Sequence, residues 1–407
     1  MNKRIAITGL GMVTALGFGA EANWAALVAG RSGIRRITRF DTTGMRASIA
    51  GCVDLPEDQP GLPLSVSARA QRLGEAAVGE ALAQAGLAAP FDGPLCIGMP
   101  PVEIEWPQRA SFSGTTYPAL IASATGQQAL YEEFLFGGAA TRIAERFGTR
   151  GVPQVVTTAC ASGASAIQLA LEAIRRGEAK MAIAAGSEAS LQPETLIRFG
   201  LLQALSTRND DPEGASRPFT LSRDGFVMAD GAGALILEDE EHARARGATI
   251  LGYVLGAGEA ADTFHRTRSA PDGSAIIRCM QRALDDAGLS PGEIGYVNAH
   301  GTSTPENDKM EAMAVRALFG ELPPPPVGST KSMIGHTLSA AGAIEAGICL
   351  LALRHQMLPP TINQADVDPD LGVDTIPVAR PHAFRAALSN SFGFGGQNVA
   401  VVIGAAD

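Results

Sequence analysis

Apolar positions along the chain follow two alternating patterns. Short continuous runs, bounded by Gly or Pro, predict buried strands. They are RIAITGLGMV (4–13), VPQVVTTA (152–159), MAIAAGS (181–187), GAGALILED (231–239), ATILGYVLGAG (248–258) and IGYVNAHGT (294–302). Between them, apolar residues recur every three or four positions, the spacing of a helix with one buried face. These stretches are AEANWAALVAG (20–30), AQRLGEAAVGEALAQAG (70–86), ASAIQLALEAIRRGE (164–178), SAIIRCMQRALDDAGLS (274–290), KMEAMAVRALFG (309–320) and AAGAIEAGICLLALRHQ (340–356). Gly86 stands where a helix C-cap is expected. The segment AFRAALSNSFGFGGQNVAVVIG (383–404) reads as two β runs around a Gly-Phe turn. Strands alternating with helices imply an α/β fold in layers. A strand, a loop with a reactive residue and a helix occur in both halves, which suggests duplication. The charged segment EDEEHARARGA is the natural boundary, dividing the chain into 1–245 and 246–407.

Composition narrows the functional classes. The 407 residues are 46% hydrophobic and 18% charged, too apolar for a disordered chain. Unbroken apolar runs such as GICLLAL are far short of a bilayer span, and the first residues lack a signal-peptide core, so no membrane partner is expected. A net charge of −10 argues against broad binding to nucleic acid. Five scattered cysteines form neither a disulfide framework nor a metal knuckle, and a reducing cytoplasm is the expected location. Two patterns mislead. GLGMVTALG follows a strand like a dinucleotide fingerprint, but Thr14 occupies the third Gly position, and tight strand packing is the better reading. The four prolines 323–326 read as a stiff connector.

Cys160 lies in VVTTACASGASAIQLAL, where a strand ends and a long helix begins. A sulfur at a helix N-terminus faces unpaired amides and the positive end of the dipole, which favours a thiolate. A small core Cys is the alternative, preferred for the other four. His300 ends a β run in YVNAHGTSTPENDKME, where α/β sheets place ligands. His336 sits in a Gly-flanked loop before a helix, in STKSMIGHTLSAAGAIE. Lys331 and Glu345 flank it; taken alone, they read as a surface ion pair. In NSFGFGGQN (390–398) the glycines permit close backbone approach, and an amide there could face an oxyanion.

TACASG, NAHGTSTPENDKME, KSMIGHTLSAAGAIEA and NSFGFGGQN occur in an order and spacing that resemble the β-ketoacyl-[acyl-carrier-protein] synthases, most of all synthase II. QALSTRNDDPEGASRPF and RDGFVMADGAGALILED extend the resemblance over nearly the whole chain. It implies a thiolase-like fold of two related halves in five αβαβα layers, assembled as a homodimer. It implies decarboxylative condensation of an acyl group on Cys160 with malonyl-[acyl-carrier-protein], without metal or organic cofactor. His300 and His336 become paired imidazoles, and Lys331 with Glu345 their supporting ion pair. The backbone amides of Cys160 and Phe394 become an oxyanion hole, with the Phe394 ring as a gate. Phe199, Phe134, Phe136, Thr302 and Thr304 fall at substrate-binding positions. Some relatives hold a structural monovalent cation, at positions matching Asn298, Glu345, Ser389 and Asn398.

The chain departs from the family pattern in GMPPVEIEWPQ (98–108), in the bulky cluster Phe134, Leu135 and Phe136, and at Gln397. These changes predict a shorter or differently shaped acyl chain, and leave a polyketide or specialised pathway as the alternative. A degradative thiolase would need a second Cys where SFGFGGQN has none, and a non-catalytic partner subunit would lack Cys160. An acidic carrier protein needs a basic landing site; Arg35, Arg36, Arg39, Arg69, Arg72 and Arg208 are the candidates.

Overall fold

The computed structural model describes residues 3–58, 64–105, 118, 119, 122 and 128–406. Trp106 and the end of the unusual loop, 106–108, lie outside them. Ten strands form one hydrogen-bonded path: β1 (Ile5–Thr14), β2 (Leu95–Gly98), β3 (Gln154–Val156), β4 (Met181–Glu188), β5 (Gly231–Asp239), β6 (Gly252–Ala261), β7 (Tyr296–Asn298), β8 (Val327–Gly328), β9 (Ala386–Phe392) and β10 (Gln397–Ala405). Outward from the middle, the first half runs β1–β5–β4–β2–β3 and the second β6–β10–β9–β7–β8. The two orders are the same order displaced by five strands. The senses also match, with two antiparallel pairings and then two parallel ones in each half. The halves meet where Ile5, Ala6 and Ile7 of β1 pair with Val254, Tyr253 and Gly252 of β6.

Five helices complete the layers: α1 (Val66–Gln84), α2 (Ser162–Arg175), α3 (Ser274–Ala287), α4 (Pro305–Phe319) and α5 (Ala341–His355). α1 covers the outer face of the first sheet, and α3 with α4 that of the second. α2 and α5 fill the space between the sheets and pack on each other. The result is αβαβα. α5 is buried on every side as far as Leu353, which is why its sequence is apolar all round. The stretch Leu338–His355 is long and apolar enough to cross a membrane but is mostly buried inside this core.

Small residues set how close these layers come. Gly9 and Gly11 of β1 lie against α1, where a Cβ would sit 2.1 Å from the Ala81 carbonyl oxygen and 1.9 Å from that of Ala77. This contact accounts for the GLG motif, which is packing rather than a nucleotide loop. At the centre the contact is reciprocal. A Cβ on Gly163 of α2 would meet the Ala343 nitrogen at 2.7 Å, and one on Gly342 of α5 the Ala164 nitrogen at 2.4 Å. The turns leading into both helices also correspond. Ala159–Ala161 precedes α2 and Leu338–Ala340 precedes α5, each one 3-10 turn long. Each begins on a left-handed residue, Ala159 at φ 49° and Leu338 at φ 39°. Cys160 therefore has Ser339 as its counterpart in the other half.

Most predicted elements sit within a few residues of the expected positions. The predicted strand 152–159 is an exception, shortened to Gln154–Val156 because its end winds into the turn that carries Cys160. Gly86 lies one residue beyond the cap of α1, at φ 66°. The helix Gly138–Phe147 was not legible as a separate element; it packs on α1 in the outer layer.

Candidate active site

The turn into α2 holds Cys160 at the helix tip with its side chain in an apolar cluster that includes Leu196, Phe226 and Leu338. The left-handed Ala159 costs about 1–2 kcal/mol, strain that the packing on both sides sustains. His300 lies two residues beyond β7, and its backbone is fixed by α4. The His300 and Gly301 amides each donate to Glu311, to Oε1 and Oε2, both at 2.8 Å. Asn390 adds a third bond, Nδ2 to Oε1 at 3.0 Å. His336 is held from the other side, its amide donating to Val227 O at 2.7 Å and its carbonyl accepting from Ala229 N at 3.0 Å.

These supports bring Cys160, His300 and His336 together. The sulfur and one ring nitrogen from each histidine lie within 4.8 Å of one another, all buried. The imidazole planes are nearly perpendicular, 81° at 5.1 Å between centroids. Edge-to-face contacts extend the series on both sides, with Phe392 against His300 and Phe226 against His336. Phe199 lies against Phe226, and Phe394 beyond it at 6.5 Å. Phe394 also turns its amide towards the Cys160 sulfur. Lys331 and Glu345 form an ion pair below the histidines, both almost wholly buried rather than on the surface. Glu188, at the end of β4, accepts the Ser339 amide at 3.1 Å and so ties the first half to the turn after His336.

Burial and one cation decide the protonation states. Burial, the Lys331 charge and His336 hold the His300 imidazole well below its ordinary range. Burial and Lys331 do the same to His336. Both rings are neutral at physiological pH, and a neutral imidazole carries one N–H donor and one acceptor. Burial raises the Glu345 carboxyl to about 7 against the pull of Lys331. Cys160 departs from expectation. Burial pushes its thiol up to about 12, although Lys331 and the Phe394 amide draw it down. The resting sulfur is a thiol, because desolvation of the anion outweighs the nearby charge.

A cavity of about 300 Å³ opens onto this cluster. Phe199, Phe394, Thr302 and Thr304 line it, and the two threonine hydroxyls lie 2.9 Å apart. Its rim includes Arg266 and Arg268, exposed on the loop after β6. Nothing in the chain pattern singles out that loop. Glu311 was also missed, although Asp308 and Glu311 stand three apart on one helix just after the histidine loop. Phe226 lies in the quoted RDGFVMADGAG but has no spacing that marks it.

Phe134 and Phe136 do not reach this cavity. They lead into Gly138–Phe147 in the outer layer, across the first sheet from α2, and Phe136 is 59% exposed. The basic candidates are also largely spent on the chain's own acids. Arg39 pairs with Asp230 and Arg69 with Asp58, while Arg35, Arg72 and Arg208 pair with Asp54, Glu57 and Asp211. Of the cation positions, Asn298 Oδ1, Glu345 Oε2 and Ser389 Oγ are buried without a hydrogen-bond partner. Three such oxygens fit a hard monovalent ion. Asn398 turns its amide to the Gly396 carbonyl at 3.3 Å. The thiol and two imidazoles are themselves a set that a thiophilic metal accepts.

Comparison with known proteins agrees with this geometry. Residues 2–243 match the model for the beta-ketoacyl synthase N-terminal domain, and 251–365 that for the C-terminal domain. The chain is 39% identical to 3-oxoacyl-[acyl-carrier-protein] synthase 2 of Vibrio cholerae, over 98% of this chain and 99% of that protein. It is 35% identical to the tetracenomycin polyketide synthase ketoacyl synthase alpha subunit of Streptomyces glaucescens, over 99% and 97%. A beta-ketoacyl synthase from Burkholderia phymatum superimposes over all of both chains with TM-score 0.87 at 34% identity. So does a chain from a complex of a type II polyketide synthase acyl-carrier protein with its ketosynthase, at TM-score 0.87 and 33% identity. A helix-tip cysteine facing two neutral imidazoles, in a twice-repeated layered fold matched end to end by such relatives, makes this chain a member of the β-ketoacyl synthase family.

Proposed function

We propose that the chain condenses an acyl group with malonyl-[acyl-carrier-protein], releasing carbon dioxide and extending the acyl chain by two carbons. The observation that carries the reading is the buried cluster of Cys160 with two neutral imidazoles. In the first half-reaction the Cys160 sulfur attacks the acyl thioester. Its proton passes to a neutral imidazole and on to the departing carrier thiolate. The resulting C–S bond replaces the carrier's. In the second, the malonyl C–C bond breaks and its electrons move onto the thioester oxygen. N–H donors from His300 and His336 stabilise that enolate. Its carbon attacks the acyl–Cys160 carbonyl, whose oxyanion is held by the amides of Cys160 and Phe394. Collapse expels the Cys160 thiolate, which takes a proton from solvent. Burial and the Lys331 charge keep both imidazoles neutral, and Glu345 balances that charge. Phe199, Thr302 and Thr304 contact the substrate, and Phe394 gates its entry.

The family-model boundaries and the repeated strand order support a division near residue 245, with the nucleophile in the first half and the histidines in the second. Tyr131, Leu135 and Phe136 leave an apolar patch uncovered on one chain, which supports a homodimer. Five unpaired cysteines support a cytoplasmic location. A second reading, ketosynthase of a polyketide pathway, is favoured by the tetracenomycin relative at nearly the identity of the synthase 2 relative. Intact-protein mass spectrometry with a panel of acyl-carrier thioesters, followed by carbon dioxide release from the malonyl carrier, tests both. Fatty acyl chains on Cys160 support the first pathway and poly-β-keto chains the second. No acyl adduct on Cys160 with any primer overturns the proposal.

A further inference from the structure

The arginines of this chain mostly face its own carboxylates, on the surface as well as inside. Arg266 and Arg268 do not. Both line the rim of the cavity that contains Cys160, both are exposed, and neither has an ion-pair partner among the described residues. Two acids, Asp262 and Glu306, line the same cavity. Asp262 is buried and accepts the amides of Phe264 at 2.9 Å and Ala270 at 2.8 Å. Glu306 projects from the first turn of α4 without pairing with either arginine.

The loop that carries them is fixed. The two Asp262 bonds close it at both ends. The Arg266 carbonyl accepts the Gly395 amide at 2.7 Å, and the Asp262 amide donates to Gly396 O at 2.8 Å. Two guanidinium groups are thus anchored to the same turn that presents the Phe394 amide to the sulfur. On a chain of net charge −10, this concentrates positive charge at the mouth of the cavity that holds the nucleophile.

We infer that Arg266 and Arg268 form an anion subsite that takes the phosphate of the substrate's phosphopantetheine arm while its thioester reaches Cys160. The inference rests on the condensing function proposed above. A guanidinium fork matches phosphate oxygens in charge and geometry, and a thioester delivered on such an arm brings a phosphate to the mouth each time. The same chemistry is offered by a carrier-protein phosphodiester and by the phosphates of coenzyme A.

The test compares malonyl thioesters of four carriers: whole acyl carrier protein, coenzyme A, free 4′-phosphopantetheine, and pantetheine without phosphate. The R266A/R268A enzyme is expected to show about a tenfold higher KM for free phosphopantetheine, equivalent to ~1.4 kcal/mol. Its kcat should be unchanged, and its KM for pantetheine should be that of the wild type. R266K/R268K should restore part of the affinity, since Lys keeps the charge but loses the fork. A KM rise with free phosphopantetheine and with carrier protein, but not with coenzyme A, assigns the natural phosphate to the carrier; a rise with all three shows that the subsite reads the phosphate alone. Equal effects on pantetheine and phosphopantetheine, or an effect confined to whole carrier protein, overturn the subsite. If the wild-type enzyme condenses none of the four, the proposed reaction fails instead, a result separate from any difference between variants.

Discussion

Replacing Glu311 with Gln asks whether His300 is positioned through its backbone. The His300 ring has no hydrogen-bond partner at Nδ1, and its ring contacts are aromatic edges. Its place is set instead by Glu311, wholly buried, whose two oxygens accept the amides of His300 and Gly301 and the side chain of Asn390. A Gln oxygen can keep the bonds at one position, but its NH2 group then meets the Gly301 N–H. One charge-assisted bond is lost and a buried donor is left unpaired, for a destabilisation of about 3 kcal/mol. Glu311→Ala removes all three acceptors and should cost more, about 4–5 kcal/mol. If the shift withdraws one enolate donor, decarboxylation falls about 10²–10³-fold. Acylation of Cys160 needs one imidazole as proton carrier beside the backbone amides, and His336 can still serve, so it should fall less than about tenfold. The assay pairs carbon dioxide release from the malonyl carrier with mass spectrometry of acyl-Cys160 and a melting temperature. Burial also raises the Glu311 carboxyl. The folded chain therefore holds this proton to a higher pH than the unfolded chain does, and its contribution to stability declines as pH rises through that window. The acceptor role needs the carboxylate, so wild-type decarboxylation should gain over the same rise, a limb absent in Glu311→Gln. Wild-type decarboxylation in Glu311→Gln, or an equal fall in both half-reactions, would refute this account.

The Cys160 thiol, pushed up to about 12, should alkylate with a rate that climbs through neutral and alkaline pH, and a plateau near pH 7 would reveal a thiolate instead. It should still label before Cys52, Cys96, Cys279 and Cys349, none of which lines the cavity, as peptide mapping after iodoacetamide would show. Lys331→Met removes the cation that depresses both histidines, so their pKa values, followed by NMR, should rise, and the stranded Glu345 should cost about 3–5 kcal/mol of stability. Because Glu345 titrates near 7 in the folded chain, above the ordinary carboxyl value, its contribution to stability is lost as pH rises from about 5 to about 7; denaturation at several pH values should show that slope. Phe136→Glu should dissociate the proposed homodimer in sedimentation without changing acyl-chain selectivity, whereas an altered acyl profile with unchanged sedimentation would return Phe136 to the substrate pocket.

Periodicity made the layers legible because each helix and strand buries one face against its neighbours, and burial is what writes the pattern. The turn at Cys160 was readable for a related reason: a strand ending on small residues just before an amphipathic helix has few local conformations open to it. The sequence by itself thus determined the alternation of elements, the helix-tip cysteine, the two loop histidines and the identity of the lysine and glutamate beside them. It did not determine how many bonds Glu311 accepts, because those partners come from 10, 11 and 79 residues away. Nor did it determine the state of the sulfur. The helix tip favours a thiolate locally, while the desolvation that outweighs it is contributed by residues distributed over the whole chain, such as Leu196, Phe226 and Leu338. Arginines that looked available were neutralised by acids distant in sequence, as Arg39 is by Asp230. Two that no pattern marked, Arg266 and Arg268, were left at the mouth of the cavity. Phe134 and Phe136, expected at the substrate, do not line the cavity that holds Cys160. Local pattern constrains conformation and which face is buried; distance, desolvation and charge pairing are properties of contacts between residues remote in sequence, and only the tertiary structure decides them.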